Sequence, residues 1–241
     1  MSLAPQLNAV LEGFKNAPTA IKEPIIKSQA DIIASFDPKK AIQPGTKLPL
    51  FALSDATGKQ VSSADLLAKG PLLINFYRGE WCPFCNIELR ALQQRLPEFE
   101  SKGVTLVAIS PELPNTSLTT TEKHELKFTV LSDVGNKFAR ELGIVWDMPD
   151  ELRPIFDKLG HDLKAKNGDD SFAVPIPATI LVDGKGVVRN VYAEPNYTKR
   201  LEPQVIMEWI DAFSPYDPIQ DSLGITSSTI SKSAPIERVS I

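Results

Sequence analysis

The sequence predicts an α/β fold, a mixed central sheet flanked by helices. Three observations predict it. From residue 51 onward, short apolar runs alternate with stretches of helical period. Two of those runs, "LLINFY" at 72–77 and "VTLVAIS" at 104–110, are almost continuously apolar, as strands buried on both faces are. The stretch "ATILVDGKGVVRNVYA" at 178–193 reads as a hairpin turning at Asp183-Gly184-Lys185-Gly186, which brings antiparallel pairing into the sheet. Elements that alternate in this way pack as helices over a sheet.

Taken in order, residues 1–36 show apolar positions at helical spacing: Leu3, Leu7, Val10, Leu11 and Phe14, then Ile21, Ile25, Ile32 and Phe36. Pro18 and Pro24 interrupt them, so two short helices are expected. A proline-rich linker follows at 37–50. "FALSDATGKQVS" reads as strand, turn, strand about Thr57-Gly58, and "SADLLAKG" as a short helix closed by Gly70. After the strand 72–77, a helix is expected from about Cys82 to Leu96, its inward face formed by Cys85, Leu89, Leu92 and Leu96, with Pro97 ending or kinking it. Strands follow at 104–110 and 128–133, then a helix at 136–142 closed by Gly143. Beyond the hairpin, 199–213 reads as a last helix with Val205, Ile206, Trp209, Ile210 and Phe213 inward.

This pass divides the chain into an N-terminal helical extension at 1–39, a main domain at 40–213 and a tail at 214–241. The tail is rich in Ser, Thr and Pro and is expected to be disordered. Within the main domain, the polar, partly helical stretch 147–172 interrupts the strand–helix pattern. It reads equally as a wall over a site and as surface elaboration.

The 241 residues carry a net charge of -4, which argues against nucleic acid as the main partner, because phosphate binding wants a basic face. No apolar stretch is long enough to span a bilayer, so no membrane is expected. The N-terminus lacks the pattern of a signal peptide, and a reducing cytoplasm is the expected location. In that compartment, cysteines that pair are usually catalytic or sensing.

The only two cysteines of the chain, Cys82 and Cys85, lie in "FYRGEWCPFC" at 76–85. The loop carries them from the end of a buried strand to the start of a helix. Unpaired N–H groups and the helix dipole there stabilise a thiolate. Pro83 is tolerated in the first turn because its missing N–H would have had no partner. A second thiol at i+3 lies on the same side of that turn, within reach of a disulfide. Such a pair makes one sulfur the nucleophile and the other its resolver. The rival readings are a zinc half-site, a structural disulfide and two inert core thiols. Zinc would want four ligands, and beyond the pair the chain offers only His124 and His161, so no metal and no cofactor is expected. A structural bridge over so short a loop would stabilise little.

"INFYRGEWCPFCNIELRAL", with "LPLFALSDATGKQVS", "VAISPE", "FTVLSDVGNKFARELGI", "PATILVDGKGVVR" and "NYTKRLEP", resembles the peroxiredoxin-like proteins of the AhpC/TSA group, within the thioredoxin superfamily. The resemblance covers roughly residues 40–213. It implies a thioredoxin-like fold of the peroxiredoxin type and a thiol-dependent peroxidase. In the peroxiredoxin register, P-x-x-x-T-x-x-C, Cys85 is the peroxidatic cysteine, while Cys82 stands in place of Thr and Arg78 in place of Pro. The arginine common before a later "TF" strand is missing. "WCPFC" is also similar to the W-C-x-x-C of thioredoxins, with one extra residue in the loop "YRGEW". In that register Cys82 attacks, Cys85 resolves, and Pro177 of "IPATILVD" is the cis-proline facing the dithiol.

Among the neighbours, Arg78 is expected to stabilise a thiolate and orient a peroxide oxygen, against the alternative of a solvated loop arginine. Trp81 is expected to be a packing wall beside the dithiol and, with Pro177, to contact substrate. Glu80 is a weaker candidate for a proton shuttle, since its charge opposes a thiolate. His124 is expected in solvent, His161 without a visible partner, and Trp146 and Arg153 at a pocket edge.

The leading expectation is a peroxidase that reduces hydroperoxides through Cys82 and Cys85, with an external thioredoxin- or glutathione-like thiol as reductant and a homodimer as the assembly to test. The alternatives are a thiol–disulfide oxidoreductase acting on protein disulfides, and a redox sensor or binding scaffold without turnover. Cys82 is the expected attacker, because the helix field fades within the first turn and Cys85 shares the apolar face of its helix.

Overall fold

The structure is a computed structural model, and it describes residues 2–213. Two helices come first, α1 (Ala4–Lys15) and α2 (Thr19–Ser35). The body follows as β1 (Ala52–Asp55), β2 (Gln60–Ser62), α3 (Ser63–Leu67), β3 (Leu72–Phe76), α4 (Pro83–Ser101), β4 (Thr105–Ser110), α5 (Pro114–Lys123), β5 (Thr129–Ser132), α6 (Lys137–Glu141) and β6 (Val145–Asp147). The interrupting stretch forms α7 (Arg153–Lys158) and α8 (Leu163–Asn167). It is followed by β7 (Ala173–Pro175), β8 (Ala178–Val182), β9 (Val188–Ala193) and α9 (Pro203–Phe213).

Seven strands form one sheet in the order β2-β1-β5-β4-β3-β8-β9, and β6 pairs with β7 beside it. The centre is parallel, β3 against β4 and β4 against β5, with Phe76 opposite Ile109. The flanks are antiparallel. The apolar runs occupy the middle because both faces there are covered: every residue of β3 is buried. Alternation along β3 divides the core. Leu73 and Tyr77 join α1, α4 and α9 on one face, while Leu72, Ile74 and Phe76 pack with Phe138 and Ile32 on the other. Asn75 falls on the α4 face, a buried amide in an apolar layer, and it hydrogen-bonds Glu88.

Four expectations change. Pro24 lies inside α2 instead of breaking it, and Pro18 alone separates the two helices. The carbonyl that Pro24 leaves unbonded belongs to Ala20, which is exposed to water. Pro97 likewise lies on the exposed side of α4, which continues to Ser101. The next turn buries Phe99 completely, a contribution of about 1.5–3 kcal/mol against an interior-proline cost of about 3. The last helix starts at Pro203 rather than 199, because a residue before proline avoids the helical region and proline favours the first helical position. The Ile176–Pro177 peptide is trans; no cis bond occurs among the described residues. The expected disorder of 214–241, and the inward side chain of Phe213, lie outside what the structure describes.

The stretch 147–172 builds its own apolar cluster, Met148, Leu152, Ile155, Phe156 and Leu163, against Trp81, Trp146 and Ile25. It packs as a wall at the carboxyl end of β3.

Candidate active site

β3 delivers the chain to this wall, and a six-residue loop, 77–82, turns it into α4. Gly79 makes the turn possible at φ 147°; a β-carbon there would collide with the indole nitrogen of Trp81 and the carboxylate of Glu112. The loop is pinned twice. The Glu80 N–H donates to both carboxylate oxygens of Glu112 at 3.0 Å, and the Asn86 amide donates to the Glu80 carbonyl at 2.7 Å. Glu112 is wholly buried, and burial pushes its carboxyl up to about 8, against the pull of the Glu80 N–H.

Cys82 occupies the N-cap of α4 in an extended conformation, with Pro83 at the first helical position. Cys85 follows in the first turn. Both are free thiols, 1% and 0% exposed. Two arginines reach them from opposite sides. Arg78 Nη1 lies 4.0 Å from Cys82 Sγ, and Arg200 Nη2 donates to Cys85 Sγ at 3.1 Å. Arg200 is otherwise engaged: its Nε pairs with Glu88 at 2.6 Å and its Nη1 donates to the carbonyls of Tyr197 and Lys199. Arg78 has no carboxylate partner among the described residues. Its guanidinium lies 4.0 Å from the Tyr197 ring centre and 4.6 Å from that of Trp81, and its Nε is buried without an acceptor.

These surroundings separate the two thiols. Burial by itself raises Cys82, but the Cys85 thiol that hydrogen-bonds it, then Arg78 and Arg200, bring it down to about 5. Burial and the neighbouring Cys82 thiolate raise Cys85 well above its ordinary value. The nearer guanidinium is on Cys85, which taken alone would favour a thiolate there. The balance falls to Cys82 because the Cys85 thiol hydrogen-bonds it and because Arg200 also faces Glu88, whereas Arg78 has no carboxylate partner among the described residues. The N-cap position adds the helix field in the same direction.

A cavity of about 630 Å³ opens onto this point. Cys82, Arg78, Trp81, Phe84, Trp146 and Phe156 line it, and Cys85 does not reach it. Trp81 stands edge-on to Phe156 at 5.0 Å in the lining of this cavity. His161 also lines the cavity, 6.0 Å from the Trp81 ring, so it has partners the sequence did not show.

Other candidates sit elsewhere. Pro177 is buried and trans just before β8 and does not line the cavity. The Glu80 carboxylate pairs with Lys166 of α8, which ties the loop to the wall and takes Glu80 away from proton transfer at sulfur. Arg153 pairs with Asp150 and Asp170 on the surface and is not at the pocket edge. His124 is half-buried at the end of α5 rather than in solvent. The sequence reading missed Arg200, Glu88, Gly79, Glu112 and Tyr197. Arg200 fills the need for a second guanidinium, but it lies 115 positions beyond Cys85, and nothing in the spacing of "NYTKRLEP" points back to the dithiol.

The model of the AhpC/TSA family matches residues 44–191. A chloroplastic peroxiredoxin Q from Gentiana triflora is 31% identical over 123 residues, covering 49% of this chain and 56% of that relative's length. A thiol-disulfide oxidoreductase ResA from Bacillus cereus is 25% identical over 137 residues, covering 56% of this chain and 76% of that protein. The crystal structure of peroxidoxin BcpB from Mycobacterium tuberculosis superimposes with a TM-score of 0.56 at 19% identity, over 71% of this chain and 98% of that one, and so shares the thioredoxin-like fold. No helix among the described residues is long and apolar enough to cross a membrane.

Proposed function

The chain belongs to the AhpC/TSA family, and from that premise we propose that it is a thiol-dependent peroxidase that reduces hydroperoxides through Cys82 and Cys85. The observation that carries the proposal is the Cys82 sulfur, favoured as a thiolate and set at the wall of a cavity beside a buried guanidinium with no carboxylate partner among the described residues.

The Cys82 thiolate attacks the outer oxygen of R–O–OH. The S–O bond forms and the O–O bond breaks, which leaves Cys82 sulfenic acid and an alkoxide. Arg78, which lines the cavity beside Cys82, faces the developing charge on the departing oxygen. A proton from solvent or the cavity converts the alkoxide to the alcohol. Cys85, one helical turn on, then attacks the sulfenic sulfur. Water leaves with the thiol proton and a Cys82–Cys85 disulfide forms. Arg200 sits where it stabilises Cys85 as it loses that proton. A thioredoxin- or glutathione-like thiol then returns the disulfide to two thiols at the cost of its own oxidation. The cytoplasm and a homodimer are part of this reading, and sedimentation of the reduced protein tests the second.

The similarity to ResA favours a second reading, exchange with protein disulfides. Such exchange needs a nucleophile that a folded partner can reach, and Cys82 is 1% exposed at the bottom of a cavity. The deciding experiment compares hydrogen peroxide and organic hydroperoxide consumption with insulin disulfide reduction. It is paired with mass spectrometry of Cys82→Ser and Cys85→Ser after one equivalent of peroxide. Peroxide turnover, with sulfenic acid accumulating in Cys85→Ser, is expected. Insulin reduction without peroxide consumption would establish the second reading, and activity towards neither would leave a sensor or scaffold.

A further inference from the structure

Glu112 lies two residues beyond β4, wholly buried, with its N–H on the Ser110 hydroxyl at 3.3 Å. Its carboxylate reaches into the Cys82 loop. Both oxygens accept from the Glu80 N–H at 3.0 Å, and a β-carbon on Gly79 would stand 2.8 Å from one of them. The next residue, Leu113, donates its N–H to the Lys166 carbonyl at 2.8 Å, and the Lys166 ammonium pairs with the Glu80 carboxylate. The loop that carries Cys82, the turn after β4 and α8 of the wall thus meet around one carboxyl group.

Glu80, Lys166, Cys82 and Tyr77 are the titratable groups that face it from the loop, α8, the start of α4 and the end of β3. Burial raises Glu112 most; the Glu80 N–H lowers it, the Glu80 carboxylate raises it, Lys166 lowers it and Cys82 raises it. Tyr77 stays neutral, because burial and then Glu112 itself raise its phenol. Coupling between two charges is mutual, so a thiolate on Cys82 and a carboxylate on Glu112 oppose each other. Oxidation removes one of them. In a Cys82–Cys85 disulfide neither sulfur carries charge, and the buried Arg78 guanidinium loses the negative charge beside it. A buried cation left alone favours ionisation of an acid nearby, and the N–H that Glu112 holds is two residues from Arg78 in the same loop.

We propose that Glu112 is the proton-linked counter-charge of the dithiol: it keeps its proton while Cys82 is a thiolate and gives it up when the Cys82–Cys85 disulfide forms. The inference rests on the redox reading of that pair. Cys82 thiolate, Cys85 thiol, R–O–OH and the Glu112 carboxylic acid become the disulfide, R–OH, water and the Glu112 carboxylate. Two electrons pass from the sulfurs to the O–O bond, and the proton that the alkoxide takes up is matched by the one that Glu112 releases. The net charge of the site is the same before and after. Glu112 acts through the loop and the field at Cys82, as a positioning residue.

The potential of the pair, measured against reduced and oxidised dithiothreitol between about pH 6 and 9, tests this. For a two-electron couple, each proton taken up on reduction is a tenfold change in equilibrium constant per pH unit, about 30 mV. Cys85 takes up one proton. In the wild type a second, on Glu112, is expected to steepen the fall of potential in a window below pH about 8, where reduced Glu112 titrates. Glu112→Gln keeps an oxygen for the Glu80 N–H but cannot titrate, and it is expected to lose the extra slope. Glu88, which also feels Cys82, is present in both proteins, so the difference belongs to Glu112. Lys166→Met, at a partly exposed position, removes a charge that favours the carboxylate and is expected to move the window to higher pH. Equal slopes in wild type and Glu112→Gln, or a window that Lys166→Met leaves in place, would overturn the inference. A pair that never equilibrates with dithiothreitol would overturn the dithiol reading itself, and the inference with it. No peroxide enters the titration, so a failure of the peroxidase reading shows separately, in the peroxide assay.

Discussion

A guanidinium buried among aromatic rings is costly unless an anion stands beside it. For Arg78 that anion is the Cys82 thiolate, so each charge stabilises the other. Replacing Arg78 with Met should raise the Cys82 pKa from about 5 and slow peroxide reduction by about 10²–10³-fold, the usual loss for one transition-state donor. Alkylation rate against pH and stopped-flow oxidation read the two effects. The Cys85 thiol is the largest single influence lowering Cys82, so the resolving residue also activates the attacker. Cys85→Ser keeps a donor hydroxyl, and Cys82 should then alkylate with an apparent pKa clearly below the free-thiol value of about 8.5. Cys85→Ala removes the donor and should raise that pKa by about one to two units, the worth of a hydrogen bond to a charged group. Should Cys85, left alone in Cys82→Ser, show the lower pKa and the faster peroxide reaction, the roles of the two sulfurs are reversed.

At the scale of elements, α1 depends on a residue far away in sequence. Its N-terminus has no cap from its own side chain; the Glu202 carboxylate accepts from the Leu3 N–H instead. A carboxylate there satisfies an otherwise unpaired donor and opposes the positive end of the helix dipole. Glu202→Ala should weaken α1 by about 1 kcal/mol. Hydrogen exchange should show faster opening confined to residues 4–15, with the central strands unchanged. Loss of protection in β3 as well would show that α1 is integral to the core that Leu3 and Leu7 join.

Over the whole molecule, the buried titratable groups give stability two opposing dependences on pH. Cys82 has a folded pKa of about 5, below its ordinary value of 9.0, so its contribution is present above the unfolded pKa and is lost as pH falls through 5. Glu112 is raised from 4.5 to about 8 and Glu88 from 4.5 to about 7, chiefly by burial. Their contribution is present below the unfolded pKa and is lost as pH rises through those values. Between pH 5 and 8 the slopes oppose, and the reduced protein should show a shallow profile. Glu112→Gln keeps an oxygen for the Glu80 N–H and removes one falling slope, so its stability should rise with pH relative to the parent. Cys82→Ser removes the rising slope and should do the reverse. Denaturant titrations at pH 5, 6.5 and 8 measure both, and parallel profiles for all three proteins would refute the assignment.

Much of this was legible in the sequence. The parallel strands were, because burial on both faces leaves a continuous apolar run that no loop shows, as at 72–77. The place of the dithiol was, because a buried strand, a short loop and C-P-x-C locate a helix N-terminus through local geometry alone. The fate of Pro24 and Pro97 was not. A helix tolerates an interior proline when the freed carbonyl meets water and packing further on offsets the cost, and which side faces water is a tertiary fact. Nor was the trans state of Pro177, which local sequence does not determine. The second guanidinium, Arg200, and the N-terminal helices over Cys82 reach the site from more than 50 positions away on either side. Spacing along a chain encodes only what neighbours do to one another. The electrostatic field on a sulfur and the shape of a cavity are sums over whatever the fold brings near, and only the tertiary structure decides them.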